Sequence, residues 1–387
     1  MVARGFEVEQ MSPSQRWDGL LLASLFLLAG TGFAALWSAS SGYALALGRP
    51  ASYFLLRQVR YVLPAIALFG LCALVPLEAI RSRMSIITLV ALAGLLLPFL
   101  PGIGENRNGA SRWIDLGVAT FQPSEIWKPI SVLYLAHILD RRIGEAGPEP
   151  GTLGAGALVP PFLLTGLACL IIFLQNDLST SAIAALAAIV LFWVGGAPWT
   201  FFMGIGAVAA PLGALSVLTS DFRLRRILAF LYPAYEPHGQ SYQVLGSMRA
   251  IVSGGFAGKG IGLGTLKLGS VPEVQSDFIF AAWTEETGFL GVLLFFALWS
   301  LFGWRCFRKA FDEEEPFRRY LGFGLGCLLL LQVLLNVAMA SGILPATGIA
   351  LPFFSAGGTS LVATAGVVGL LMNLSRPAGA ERGGVHV

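Results

Sequence analysis

The sequence predicts an all-α polytopic membrane protein, with about ten transmembrane helices and a large extracytoplasmic loop between spans 7 and 8. Three observations carry that expectation. Of 387 residues, 56% are hydrophobic and only 12% are charged, and the mean hydropathy is +0.74. A soluble domain is about 25% charged. Half that charge cannot cover the water-facing surface of so long a chain, so a soluble globular enzyme and a disordered chain are excluded. Apolar runs of spanning length recur from end to end. One polar stretch, 219–277, holds no continuous span.

A membrane helix needs roughly 20 mostly apolar residues. Ten runs answer to that, at about 17–37, 59–76, 84–101, 124–139, 158–175, 178–195, 199–218, 278–303, 320–340 and 358–374. The fourth, fifth and eighth have polar ends. The segment before the first run carries Glu7 and Glu9, which speaks against a cleavable leader. With a short polar N-terminus and a short tail, 377–387, residues 1–387 read as one integral membrane domain. Basic residues at short connections, such as Arg81 and Arg83 or Arg305 to Arg319, place those turns and both termini in the cytoplasm. Within 219–277 the glycine-rich run 250–269, with Lys259 and Lys267, reads as a half-inserted segment. Such backbone must be buried in protein or face water. The stretch Ser341–Thr359, with Pro345, Pro352 and Gly357-Gly358, should bend back into the protein. No internal repeat stands out, against an ordinary inverted-repeat transporter.

The net charge of +3 gives no sign of nucleic-acid binding. Cys72, Cys169, Cys306 and Cys327 form no CxxC pair, and the three histidines have no metal-ligand spacing. The informative residues are the charges in or beside the spans, each costing several kcal/mol (roughly 2.5–3.5 at a span centre). Asp177, between spans five and six, reads either as a helix cap or as a substrate or ion contact. Glu125 and Lys128 sit one helical turn apart after Pro123-Ser124, a helix start. They form a structural ion pair, or Lys128 opens toward an anionic ligand. Asp277 at the mouth of span eight is a helix cap or a general base. Glu285 and Glu286 should pair with basic groups in the bundle. Arg49, Arg57, Arg60, Arg107, Arg112, Arg223, Arg225, Arg226, Arg249, Lys259 and Lys267 lie on the outer side, where arginine forks suit phosphate oxygens.

Several motifs in order give the chain a resemblance. They are Asn108-Gly109-Ala110-Ser111-Arg112-Trp113-Ile114, then Phe121-Gln122-Pro123-Ser124-Glu125, then Arg226-Ile227-Leu228-Ala229-Phe230-Leu231-Tyr232-Pro233. Ser253-Gly254-Gly255, Pro272-Glu273, Asp277-Phe278-Ile279-Phe280-Ala281, Leu351-Pro352-Phe353 and Gly357-Gly358-Thr359-Ser360-Leu361 follow. Over nearly its whole length the chain resembles the SEDS proteins of shape, elongation, division and sporulation, which include FtsW and RodA. The resemblance implies a peptidoglycan glycosyltransferase of the bacterial cytoplasmic membrane that polymerises lipid II at the outer face. It implies a class B penicillin-binding protein, a transpeptidase, as partner, and it makes Asp277 essential. Gln275-Ser276 stand where the family has His-Thr, so no histidine partner for Asp277 is expected. Gly48-Arg49-Pro50 and Tyr242-Gln243-Val244-Leu245 favour the FtsW branch, whereas Gly348-Ile349-Ala350-Leu351-Pro352 is as much like RodA.

The expected chemistry needs one base, because a lipid pyrophosphate leaves without a proton. Asp277 is the expected base. Arg112, Lys128 and Lys259, or a bound divalent cation such as magnesium or manganese, would stabilise the leaving group, with Glu125 and Asp177 completing the substrate site. Lipid tails would lie in a groove open to the membrane lipids. The rivals are a RodA-type elongation enzyme and a lipid II flippase. The concentration of polar motifs on one side favours an enzyme.

Overall fold

Apolar backbone in a bilayer must satisfy its own hydrogen bonds, so the apolar runs fold as helices. The computed structural model describes residues 17–107, 109–117, 119–146, 155–232, 240–265 and 274–375. The tail 377–387, Lys267, Asn108, Pro233 and Pro272-Glu273 lie outside them. The helices are α1 (Gly19–Ala46), α2 (Tyr53–Val59), α3 (Val62–Leu74), α4 (Leu77–Ser82), α5 (Met84–Gly94), α6 (Pro123–Ala146) and α7 (Ala155–Leu174). They continue with α8 (Leu178–Val194), α9 (Trp199–Leu218), α10 (Asp221–Leu231), α11 (Gln240–Gly254), α12 (Ile279–Asp312), α13 (Pro316–Ala340) and α14 (Gly358–Leu374). Among the described residues six helices, with α2 and α3 taken together as one (Tyr53–Leu74), are long and apolar enough to cross a membrane, and three shorter apolar ones accompany them. The more polar α6 covers the fourth expected run.

The fold departs from a purely helical expectation in one place. Between α5 and α6 the chain forms an antiparallel sheet of β1 (Gly104–Arg107), β2 (Ala110–Asp115) and β3 (Thr120–Phe121), in that order. Gly104 pairs with Ile114, Arg107 with Ala110, and Ile114 with Phe121.

The core lies where α13 meets α12, α6 and α8, with α1 packed on α12 and α3 on α14. Ion pairs fasten one end of the bundle. Asp18 caps α1 through Leu20 N and Leu21 N and also accepts from Arg305 of α12 at 2.6 Å. Arg81 joins Asp140 of α6 and Glu315 beside α13. By contrast, α9 has no buried residue. Its first turn touches the bundle through Phe201, whose ring meets Phe162 and Phe192, and α10 packs along it.

The expected half-inserted segment is α11 followed by an irregular stretch, 255–265, whose purpose is visible in α12. That helix is broken at Gly288, where φ is 63° and ψ is −160°. The break strips carbonyls and amides of their helical partners, and residues 255–260 replace them. Lys259 N and Gly260 N donate to Glu285 O and Glu286 O at 3.0 and 2.9 Å. Phe289 N and Leu290 N donate to Gly255 O and Phe256 O at 2.9 and 3.2 Å. The two backbones are so close that a Cβ on Gly288 would lie 2.3 Å from Gly258 N. A Cβ on Gly258, itself at φ +78°, would lie 2.2 Å from Glu286 O.

Gly288→Ala should therefore lower thermal stability sharply. Left-handed strain alone costs about 1–3 kcal/mol, and the clash adds to it. A thermal unfolding midpoint in detergent equal to the parent's would refute the interlock.

Candidate functional site

The sheet, the turn before α8, and α10 converge at one end of the bundle. The turn is the fixed point. Asn176 adopts φ 60°, which lets the chain reverse between α7 and α8. Its amide donates to Gly109 O at 2.7 Å, and Arg223 of α10 donates to its Oδ1 at 3.2 Å. Asp177 is the N-cap of α8, accepting from Thr180 N at 3.3 Å. Its side chain is only 2% exposed, so a charge there needs partners. Arg112 Nη1 reaches Oδ1 at 3.3 Å, while Gln122 Nε2 and Ser124 Oγ reach Oδ2 at 2.7 and 3.3 Å. Arg112 can do so because alternation along β2 puts it on the face of Ala110 and Ile114, both buried. The capping expectation for Asp177 holds, and both of its oxygens are engaged.

Asp277 is held differently. The N-cap of α12 is Phe278, with no side-chain capping bond, so Asp277 is not a helix cap. Its backbone is fixed from two sides. Asn336 of α13 donates to Asp277 O at 3.0 Å and to Ile349 O at 2.6 Å. Ser355 donates to Ser276 O at 2.5 Å, and Ala356 N to Gln275 O at 2.7 Å. The carboxylate lies against Gly348, at φ +72°, where a Cβ would come within 3.3 Å of Oδ2. The half-exposed side chain thus stands on a rigid floor made by the expected inward-bending stretch before α14.

One residue that the sequence argument did not single out joins these parts. Arg226 of α10 is half-buried. Burial pushes its guanidinium pKa down from the ordinary value, the Asp277 charge raises it, and Arg112 lowers it. Its field therefore couples to both. The Nε atoms of Arg226 and Arg112 are buried and have no hydrogen-bond partner among the described residues. Arg226 lies over the Phe222 ring at 4.5 Å. The signal was the helical position of Arg226, one turn before the buried Ala229 and half-buried Phe230, while Arg225 stays exposed. A list of outer arginines cannot show that.

The remaining expected residues separate from this cluster. Lys128 Nζ meets Glu125 Oε1 at 2.9 Å, with Lys128 4% exposed. The pair is enclosed by Leu328, Leu329, Gln332 and Thr364 around a void of about 10 Å³, room for roughly one water. Lys259 Nζ meets Glu285 Oε1 at 2.7 Å, beside the α12 break. Thr265 N donates to the same oxygen at 3.0 Å. Glu286 accepts from Ser38 of α1 at 2.5 Å. The structure thus brings together Arg112, Asp177 and, through Arg226, Asp277. It engages Glu125 and Lys128 in a buried ion pair, and Lys259 reaches the buried Glu285 from the surface. No group of three histidine, cysteine or acidic residues suited to a metal occurs among the described residues.

Chemically, the cluster offers two guanidinium groups and two carboxylates, Asp177 engaged by Arg112 and its other donors and Asp277 in the field of Arg226, which suits a proton transfer next to a phosphate-bearing group. Known proteins point the same way. The family model described as Cell cycle protein, FtsW/RodA/SpoVE, matches residues 19–379. A probable peptidoglycan glycosyltransferase FtsW of Geobacter sulfurreducens is 35% identical over 361 residues, covering 93% of this chain and 95% of that one. A protein of the same description from Thioalkalivibrio sulfidiphilus is 36% identical, with 95% and 91% covered. A chain of a peptidoglycan synthase complex, described as coordinating polymerization and crosslinking, superposes with a TM-score of 0.74 at 27% identity, covering 93% and 98%. The rod shape determining protein RodA of Thermus thermophilus gives 0.68 at 26%, covering 93% and 97%.

Losing one member of the buried Glu125–Lys128 pair leaves an unpaired charge, at about 3–5 kcal/mol. Lys128→Gln should therefore lower the unfolding temperature far more than Arg112→Gln, whose partner Asp177 keeps three other donors. Equal losses in a thermal melt would contradict that division.

Proposed function

The chain belongs to the FtsW/RodA/SpoVE family, and we propose from that premise that it is a peptidoglycan glycosyltransferase polymerising lipid II, with Asp277 as the base. The observation that carries the site assignment is Asp277, its backbone held by Asn336, with its charge acting on Arg226, which also feels Arg112. The acceptor 4-hydroxyl oxygen attacks C1 of the donor MurNAc, with inversion. That bond forms as the bond from C1 to pyrophosphate breaks. The hydroxyl proton goes to Asp277, and the leaving pyrophosphate takes its electron pair without needing a proton. Arg112 and Arg226 are placed to hold phosphate oxygens, the arginine fork matching them two at a time. The described residues do not build a resident metal centre. A divalent cation, magnesium or manganese, would arrive with the pyrophosphate, held mainly by its oxygens.

The relatives named FtsW favour a role in septal synthesis over the elongation role of RodA. The synthase complex supports a class B penicillin-binding protein as partner. The chain would cross the cytoplasmic membrane ten times, with both termini inside and the site outside. A flippase would use the same buried charges, but it has no need of a carboxylate fixed at one end in the field of an arginine.

Asp277→Asn should keep the parental unfolding temperature and lose glycan synthesis from lipid II by about 10²–10⁴-fold, the usual worth of a general base. Undiminished polymer would remove Asp277 from the chemistry. For topology, the probe is Asp312→Cys in a chain whose four native cysteines are replaced. In intact cells it should resist a membrane-impermeant thiol reagent. Ready labelling would invert the proposed orientation.

A further inference from the structure

A second cationic site lies on the far side of the sheet. A cavity of about 340 Å³ opens between α2 and the β2–β3 connection, lined by Tyr53, Arg57, Arg60, Tyr61, Asp115 and Thr120 among others. Arg57 and Arg60 are three apart, so both project to one side of α2. Both are exposed, and neither has an ion-pair partner among the described residues. The wall opposite them is fixed. The Tyr61 hydroxyl donates to Thr120 O at 3.2 Å and accepts from Thr120 N at 3.1 Å. Asp115 is the one carboxylate in the lining. Its Oδ1 accepts from Gly117 N at 2.8 Å. Two cations against one anion leave the cavity net positive.

The surroundings say what kind of anion fits. α2 runs on into α3, and this helix pair turns a lipid-facing apolar surface outward directly below the cavity. Leu56, Val59, Leu63 and Ile66 are 56%, 47%, 76% and 61% exposed. Tyrosines flank the cavity where an apolar face meets a charged one, the placement such rings take at a membrane surface. A ligand with an anionic head and an apolar tail satisfies both regions at once. A free anion leaves the apolar face unused, and a neutral lipid leaves the arginines unused.

We propose that this cavity binds the phosphate of a lipid headgroup, with Arg57 and Arg60 as its ligands and the tail laid along α3. It is separate from the Asp277 cluster. β2 stands between them, because alternation along the strand puts Asp115 on the cavity side and Arg112, three residues before it, on the Asp177 side. The inference does not depend on the enzymatic assignment, because its readout is binding.

The test uses the full chain in phosphatidylcholine nanodiscs, with native mass spectrometry to count bound probe. The probes are farnesyl pyrophosphate, phosphatidylglycerol and uncharged farnesol. Arg57→Gln/Arg60→Gln should weaken anionic binding at one site by about tenfold or more, the loss expected for charge-assisted hydrogen bonds. Farnesol binding should not change. Arg83→Gln, at the opposite end of α4, controls for general charge loss and should bind like the parent. Asp115→Asn removes the opposing charge and should tighten the same site, which keeps the idea testable if the double variant does not fold. Selective loss of farnesyl pyrophosphate would identify a polyprenyl-linked headgroup, and selective loss of phosphatidylglycerol a membrane phospholipid. Unchanged stoichiometry and affinity for both anionic probes in the folded double variant would overturn the proposal. So would an equal loss of farnesol.

Discussion

A carboxylate buried at the end of a bundle holds this site together. Asp177 is almost fully removed from water, and an isolated charge there would be prohibitively costly. The protein meets that constraint by bringing four donors to it from three parts of the chain: the sheet, the start of α6 and the first turn of α8. Asn176, the neighbouring residue, extends the same junction to the sheet's hairpin turn and to α10. Arg112 and Arg226 acquire their positions from this junction. The two guanidinium groups of the proposed site are therefore placed by a carboxylate that does not itself need to touch a ligand.

Other buried charges follow the same logic away from the site. Glu125 with Lys128 neutralises charge inside the bundle, and Lys259 reaches in from the surface to neutralise the buried Glu285. The second pair does more. Glu285 lies just before the break in α12, and its main-chain carbonyl is taken by the amide of the residue that neutralises its side chain. Lys259 thus answers the broken backbone and the buried carboxylate together. This explains why an irregular glycine-rich stretch can lie against a membrane helix, since its polar groups are consumed by the helix it interrupts.

Much of this was legible from residue order. Long apolar runs gave helices at the expected places, because length and hydropathy alone decide that in a bilayer. The Glu125–Lys128 pairing follows from a spacing of three. The sheet was harder to see. Its strands are short and lack a clear alternation, although Asn108-Gly109 is a hairpin-turn signal. The break at Gly288 was hidden because it sits in an otherwise apolar helical run with no proline. Arg226 was hidden for another reason. Its importance rests on which of several arginines turns inward, and that depends on the packing of α10 rather than on composition.

The poorly packed α9 has a mechanical consequence. A helix with no buried residue gives up little when it shifts sideways, since lipid replaces lipid along most of its surface. Its first turn, held by Phe201, acts as a pivot, and the far end leads directly into α10 and Arg226. The wall beside the Arg226 cluster is thus loosely held. A molecule with a long hydrocarbon chain could enter through it while that chain stays in the bilayer, avoiding about 0.8 kcal/mol for every methylene otherwise exposed to water.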